Sequence, residues 1–307
     1  MLSVIIPAKD EAGAIASTIE SLRTSLTAAG IVHEIIVVDD GSSDDTGAIA
    51  RAAGVVTVRH PTSGGYGRSL KDGIKRARYD LIGITDADGT YPNDRMAELY
   101  RLVADDGFDM AVGARKGPEY RGTFLKMPAR RLFLWLSEYA AGRPIDDINS
   151  GLRVFRKEIC LRYIHTISDG FSFTTTITLA SLLNGYFVRY VPIDYFKRVG
   201  SSHVRYYRDT LRTFQIIVES ILYYNPLKLF LLVVAALFGL SAAAVALHLA
   251  APGLAPLFLP LLSATALPAA FVVGAIGLSA DLNRSLQRRL VDARDVAPPP
   301  PPGQRQP

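Results

Sequence analysis

The sequence predicts an α/β domain on a mainly parallel sheet, followed by an amphipathic interfacial helix and a two-helix transmembrane hairpin. Three observations predict it. Residues 1–113 alternate short β-branched runs with stretches of helical periodicity. Acidic residues recur where those runs end. Two uncharged stretches, 229–251 and 254–280, each exceed the ~20 residues that cross a bilayer core.

The predicted strands, in order, are "LSVIIPA", "EIIVVDD", "VVTVRH", "LIGITDAD" and "DMAVGA". Helical periodicity fills the intervals at 14–29, 45–53, 69–78 and 95–105, which makes βαβ units. Parallel sheets of this kind bind ligands at the carboxyl ends of their strands. Asp10 and Glu11 follow the first strand, Asp39 and Asp40 close the second, and Asp86 and Asp88 close the fourth. One such pair carries little weight; three on one sheet edge make a site. In "DADGTYP" the two carboxylates are one residue apart, and Gly89 and Pro92 supply a turn that aims them the same way. Hard divalent cations prefer oxygen, and Mg²⁺ or Mn²⁺ takes one or two carboxylates plus substrate phosphates. Asp86 and Asp88 therefore read as a metal clamp for a diphosphate. Asp44 and Asp45 of "SSDDT" read as helix-capping residues. Gly64, Gly65 and Gly67 read as a glycine-rich turn rather than a phosphate cradle, and Lys71 is at least as well explained as a solvated helix residue. His60, His165 and His248 have no metal-ligand spacing.

Beyond residue 113 the pattern loosens. "DDINSGLRVFRKE" reads as a loop, a strand and a helix start, "FSFTTTITLASLLNGY" as a helix, and "FVRYVPIDYF" as a strand. In 203–224, Val204, Tyr207, Leu211, Phe214, Val218 and Ile221 recur at helical steps, with Arg205, Arg208, Asp209, Arg212 and Glu219 on the other faces. That is an interfacial helix; 125–136, with Lys126, Arg130 and Arg131 beside the only tryptophan, is a shorter candidate. The basic cluster from Lys197 to Arg212 suits phosphates, of a nucleic acid or of an anionic lipid surface. The aromatics among it suit a membrane better than stacked bases, so no nucleic-acid partner is expected. Only "PG" separates the two apolar stretches, and Lys228, Arg284, Arg288 and Arg289 flank them, which predicts a hairpin with both ends in the cytoplasm. Pro256, Pro260 and Pro268 are expected to kink its second helix or make it partly re-entrant. Gly239, Ala242, Ala243 and Ala246 allow close helix packing and a homo-oligomer. The expected organisation is a catalytic domain over 1–202, an interfacial helix over 203–226, a transmembrane hairpin over 227–281 and a proline-rich disordered tail over 282–307. "MLSVIIPAKDE" runs straight into a strand, so no secretory leader is expected. The single cysteine, Cys160, excludes an intramolecular disulfide and fits a reducing compartment.

"SVIIPAKDEAGAI", "EIIVVDDGSSDDT", "DADGTYP", "GARKG" and "DDINSGLRVFRKE" occur in the order found in family 2 glycosyltransferases of the GT-A fold, which residues 1–200 resemble. With its basic helix and hairpin the chain looks like the polyisoprenyl-phosphate glycosyltransferases, which include dolichol-phosphate mannose synthases and bacterial undecaprenyl-phosphate glucosyl- and aminoarabinosyl-transferases. The resemblance implies inverting transfer of a hexose from a UDP-glucose-like or GDP-mannose donor to a polyisoprenyl phosphate, with Mg²⁺ or Mn²⁺, at the cytoplasmic membrane. It implies that Pro7, Lys9, Glu11, Asp39 and Asp40 line the nucleotide-sugar pocket, and that Asp86, Ala87 and Asp88 reach the diphosphate, the two aspartates through the metal. Arg115 would contact phosphate or sugar, and with Asp88 and Asp147 would form the catalytic set. Ser150 and Arg153, with Asp147, would shape the donor and acceptor pocket, and with Lys197, Arg198, Ser202, His203, Arg205, Arg130 and Arg131 would bind the lipid phosphate or the diphosphate. Three positions depart from the family pattern: Thr90 stands where a glutamine is common, threonines of "GFSFTTTIT" where an acid is common, and His203 where a lysine is common. A lipid phosphate is already an anionic nucleophile and needs little help from a general base, so the missing acid favours that acceptor over a hydroxyl. A saccharide or glycolipid hydroxyl acceptor and a non-catalytic membrane scaffold are the alternatives.

Overall fold

The computed structural model describes residues 1–117, 127–197, 206–251, 253 and 255–296, with 127–130, 206–213 and 287–296 as helical backbone only. Seven strands, β1 (Leu2–Ala8), β2 (His33–Asp39), β3 (Val56–Arg59), β4 (Leu81–Ile84), β5 (Met110–Lys116), β6 (Arg153–Arg156) and β7 (Val188–Asp194), form one sheet in the order β3-β2-β1-β4-β6-β5-β7. Every pairing is parallel except those of β6, which runs antiparallel to both β4 and β5.

Helices cover both faces, which explains why β1 is buried at every position. Strand residues alternate between two cores. Val4 and Ile6 pack with Ile15, Ile19, Leu22 and Leu26 of α1 (Ile15–Ala28), Ala50 of α2 (Thr46–Ala52) and Met96 and Leu99 of α4 (Met96–Ala104). Ile5, Ile84 and Phe155 face Leu70 and Ile74 of α3 (Tyr66–Arg76), and Phe173 and Ile177 of a later helix, 173–183. A short 3-10 turn, Asn93–Arg95, leads into α4. A side chain at Gly73 would overlap Ile5, so α3 sits directly on the sheet.

α3 begins three residues before the start read from periodicity. Its first amides are met by distant carbonyls: Gly67 N–H donates to Gly170 O at 3.2 Å and Arg68 N–H to Asp169 O at 2.9 Å. Lys71, expected in solvent, is buried and donates at 2.6 Å both to Ile167 O and to the Asp169 carboxylate. This helix end is thus closed by the chain's own 168–170 segment, in keeping with a turn rather than a phosphate cradle. Asp45 occupies the N-cap of α2 without a side-chain hydrogen bond; Asp44 instead accepts from the Thr46 and Ala12 amides.

The second half supplies α5 (Met127–Ala141), α6 (Lys157–Arg162), α7 (Phe173–Leu183) and α8 (Tyr206–Tyr224). Phe133 of α5 stacks on Phe214 of α8 with centroids 5.8 Å apart, while Leu132 and Trp135 are exposed. The chain divides into two compact units, Met1–Ser220 and Ile221–Pro307. In the second, α9 (Pro226–Ala250) and α10 (Phe258–Val296) pack on each other. Phe230 rests on Gly277, and the Ser241 and Ser263 hydroxyls meet at 3.0 Å. Both helices are long and apolar enough to cross a membrane, over Pro226–Ala250 and Phe258–Leu286. Only 11% and 17% of their most apolar windows are buried within the chain, so they are not core helices of a globular unit. Pro268 lies inside α10, and Pro260 falls in its first turn, where no intrahelical donor is lost. One expectation is corrected here. The helix runs on to Val296, so 282–296 is helical rather than a disordered tail; 297–307 lies outside the described residues.

Candidate active site at the sheet edge

The sheet register gathers the acidic strand ends. Ala8 pairs with Asp39, and Ile5 with Ile84, so the residues after β1 lie between those closing β2 and those following β4. At the first of these, Asp10 adopts φ 55° and its carboxylate accepts from the Ser43 amide at 2.7 Å and hydroxyl at 3.0 Å. The Glu11 amide donates to the Thr46 hydroxyl at 2.8 Å. These bonds tie the Lys9–Glu11 turn to the loop after β2. Pro7 is buried in the strand, with Lys9 and Glu11 half-buried beyond it.

Asp39 is 1% exposed and accepts from the Ser42 amide at 2.8 Å. Its other oxygen lies 3.6 Å from Arg59 and against Gly47, where any side chain would overlap it. Asp40 differs from the sequence-based expectation. Its carboxylate accepts from His60 Nδ1 (2.7 Å), Ser63 Oγ (2.7 Å), Gly64 N (2.7 Å) and Gly65 N (3.0 Å). It organises the 60–65 loop rather than facing a ligand. Burial pushes its pKa up, but the bonds from Ser63, His60, Gly64 and Gly65 outweigh burial and hold it at about 2. A depressed carboxyl stabilises the fold above its unfolded pKa of about 3.9 and loses that contribution as pH falls through the folded value. Asp40→Asn is therefore expected to flatten the acid limb of the stability curve between about pH 4 and pH 2, as read by acid titration of circular dichroism.

At β4 the chain turns through Gly89, with φ 74°. Asp86 is half-buried and Asp88 is 6% exposed. Asp86 Oδ1 accepts from the Tyr66 hydroxyl at 2.9 Å. Burial, then the Asp86 charge, push the Tyr66 phenol well above its ordinary pKa, so it is the donor. Gly151 faces Asp86 so closely that an added Cβ would stand 2.9 Å from each carboxylate oxygen. Gly151 is itself held by Tyr91, whose hydroxyl accepts the Gly151 amide at 2.7 Å. Asp88 Oδ1 accepts from the Thr90 amide at 3.1 Å and hydroxyl at 2.7 Å. Thr90, at the position of the family's frequent glutamine, thus orients Asp88.

Arg115 at the end of β5 grips Asp147 through two bonds, Nε to Oδ2 at 2.7 Å and a terminal nitrogen to Oδ1 at 3.0 Å. Asp147 is 2% exposed; burial pushes its pKa up, and Arg115 overcomes this to leave it below the usual carboxylate range. The Arg115 guanidinium carbon lies 5.3 Å from the centroid of the Tyr195 ring, which meets Tyr91 edge-on at 5.3 Å. Asp86, Gly151, Tyr91, Tyr195, Arg115 and Asp147 are thereby one contiguous assembly.

Ser150 and Arg153 correct the sequence reading. Both have no exposed surface. The Arg153 guanidinium donates to Ser150 O at 3.0 and 2.5 Å, to Thr174 O at 3.3 Å and to Thr178 Oγ1 at 2.9 Å. Burial pushes its pKa below the ordinary arginine value. A side chain enclosed in this way tethers the 150–153 segment to α7 and offers nothing to a phosphate. Arg153→Met leaves Ser150 O without its donor, at about 1–3 kcal/mol. Thermal unfolding is expected to show that loss, with KM for the donor unchanged in the folded fraction.

Arg131 is exposed on α5, and Lys197 is exposed past β7. The Arg130 side chain, and Arg198, Ser202, His203 and Arg205, lie outside the described residues. Sequence reasoning missed Tyr66, Tyr91, Gly151 and Tyr195. Tyr91 was adjacent to the acidic pair in "DADGTYP", but nothing in spacing links Tyr66 or Gly151 to it. Among the described residues no group of three or more His, Cys, Asp or Glu is arranged to hold a metal. Two hard carboxylates at a turn fit Mg²⁺ or Mn²⁺ shared with substrate oxygens, not a self-sufficient protein cage.

A mainly parallel sheet with one reversed strand beside an Asp-x-Asp turn defines a GT-A transferase domain. Similarity to known proteins agrees. The chain belongs to glycosyl transferase family 2, whose sequence profile matches residues 3–165. It is 30% identical to the low-salt glycan biosynthesis hexosyltransferase Agl6 of Haloferax volcanii over 69% of this chain and 51% of that one, so it spans about half that relative's length. It is 35% identical to the polyprenol monophosphomannose synthase of Mycolicibacterium smegmatis, over 54% of this chain and 68% of the relative. Glucosyl-3-phosphoglycerate synthase of Mycobacterium tuberculosis, solved with Mn²⁺, uridine diphosphate and phosphoglyceric acid, superposes with a TM-score of 0.57 at 20% identity. That superposition covers 72% of this chain and 78% of the other, and shows the shared fold.

Proposed function

We propose that this chain transfers a hexose, with inversion at the anomeric carbon, from a nucleoside diphosphate sugar to a polyisoprenyl phosphate at the cytoplasmic face of a membrane. The carrying observation is the first turn of α7, tied through Asn149 and Arg153 to the 147–153 segment, whose Gly151 faces Asp86. There Thr174, Thr175 and Thr176 are buried, Thr175 donates to Asn149, and Thr176 donates to the carbonyls of Ser172 and Phe173. None of these groups removes a proton, so an acceptor that is already an anion suits the site. The name of the mycolicibacterial relative supports the lipid-phosphate acceptor, and α9 and α10 support a membrane location.

In this reading Lys9, Glu11 and Asp39 receive the nucleoside, and Asp86 and Asp88 receive the diphosphate. A bound Mg²⁺ or Mn²⁺ would supply Lewis-acid stabilisation of the leaving diphosphate. Asp147 fixes the plane of Arg115, which sets a cation beside the charge that develops there. Lys197, Arg198, Ser202, His203 and Arg205, with Arg130 and Arg131, collect the lipid phosphate. The catalytic part is 1–202, the interfacial helix 203–226 and the membrane hairpin 227–281. The test is transfer from radiolabelled UDP-glucose and GDP-mannose to polyprenyl phosphate by the full chain in detergent with Mn²⁺. An acid-labile lipid-linked sugar is the expected product. Label appearing only on saccharide or glycolipid hydroxyls, or on nothing, would overturn the reading.

A further inference from the structure

We propose that Tyr66 is a positioning residue for the Asp86 carboxylate, and that its hydroxyl sets the affinity of the site for a divalent cation. The inference rests on the reading of Asp86 as a metal ligand given above. Tyr66 is the first residue of α3, and the chain holds it from both sides. Upstream, Asp40 takes the amides of Gly64 and Gly65 at 2.7 and 3.0 Å. Downstream, Gly67 and Arg68 bond the carbonyls of Gly170 and Asp169, and Lys71 closes the same segment through Ile167 O and the Asp169 carboxylate. A side chain at Gly67 would overlap the Ser168 carbonyl oxygen, so α3 cannot slide along this contact. Phe171, from that segment, lies 6.2 Å from the Tyr66 ring.

All of this fixes one hydroxyl, which donates to Asp86 Oδ1 at 2.9 Å. Gly151 closes on both oxygens of the same carboxylate, held there by Tyr91. Asp86 is thus gripped between a donor and a backbone wall, while Asp88 is oriented separately by Thr90. Ligating carboxylates are held by hydrogen bonds of this sort, and their loss costs roughly 10–100-fold in metal affinity.

The experiment measures Mn²⁺ binding to the full-length protein in the presence of uridine diphosphate, by the electron paramagnetic resonance of free Mn²⁺. Tyr66→Phe, which keeps the ring, is expected to weaken Mn²⁺ binding on the order of 10-fold or more, with the melting temperature of the metal-free protein unchanged. Asp86→Asn is expected to weaken binding as well, and adding Tyr66→Phe to it is expected to change nothing further. Unchanged affinity in Tyr66→Phe alongside a loss in Asp86→Asn would overturn the role of Tyr66 alone. Unchanged affinity in Asp86→Asn would overturn the assignment of the metal to this carboxylate and the inference with it. Losses that add in the double variant would place Tyr66 outside the Asp86 pathway.

Discussion

Asp88→Asn is expected to lower sugar transfer on the order of 10²–10³-fold while leaving the fold intact. Asp88 is 6% exposed, and its Oδ1 accepts two bonds from Thr90 at 3.1 and 2.7 Å. The amide keeps the shape and one acceptor oxygen, so the Thr90 contacts survive. What it removes is the negative charge with which Asp88 would hold a divalent cation at the diphosphate. Steady-state kinetics with the nucleotide sugar would read the loss in kcat/KM, with circular dichroism and melting close to those of the parent. Turnover near the parent value would remove Asp88 from the diphosphate clamp.

Gly151→Ala is the second substitution expected to have a large effect, and it acts without touching any charge. Its Cβ would stand 2.9 Å from both oxygens of Asp86 and 3.0 Å from their carbon. The group that must yield is a side-chain end rather than backbone, so the fold accommodates it with little loss of stability. The Asp86 carboxylate then leaves the position shared by Tyr66 and Gly151. A displacement of about 1 Å at a reacting group costs on the order of 10²-fold in rate. The expected signature is a collapse of activity with an unchanged melting temperature. Retained activity would mean that the placement of Asp86 against Gly151 is immaterial. A collapse of both together would mean that the wall serves the fold instead.

These two positions differ in how far the sequence exposed them. Asp88 was legible because hydrophobic runs reveal strands, strands of a parallel sheet point their carboxyl ends one way, and an acidic pair at such an end has few other uses. Gly151 was legible only as part of "DINSGLR", with no sign that it touches Asp86. The antiparallel pairing of β6 with β4 makes that contact, and strand order is not written in local periodicity. Arg153 shows the converse error. An arginine beside a binding motif reads as a phosphate ligand until burial is known, and here its donors go to Ser150, Thr174 and Thr178. Lys71 was misread for the same reason, since its partners lie near residue 168.

By itself the sequence determined the α/β class, the acidic sheet edge and the two apolar helices. Each of these follows from local patterns: a period of two or of 3.6, a turn after an apolar run, or a long run without charge. The tertiary structure alone decided which polar groups are partners. It closed Asp40 onto its own loop, locked Arg115 to Asp147 and set Tyr66 against Asp86. The physical reason is that hydrogen-bond partners are assigned by three-dimensional proximity within about 3 Å. Residues that meet at that distance here stand 20 or more positions apart in the chain.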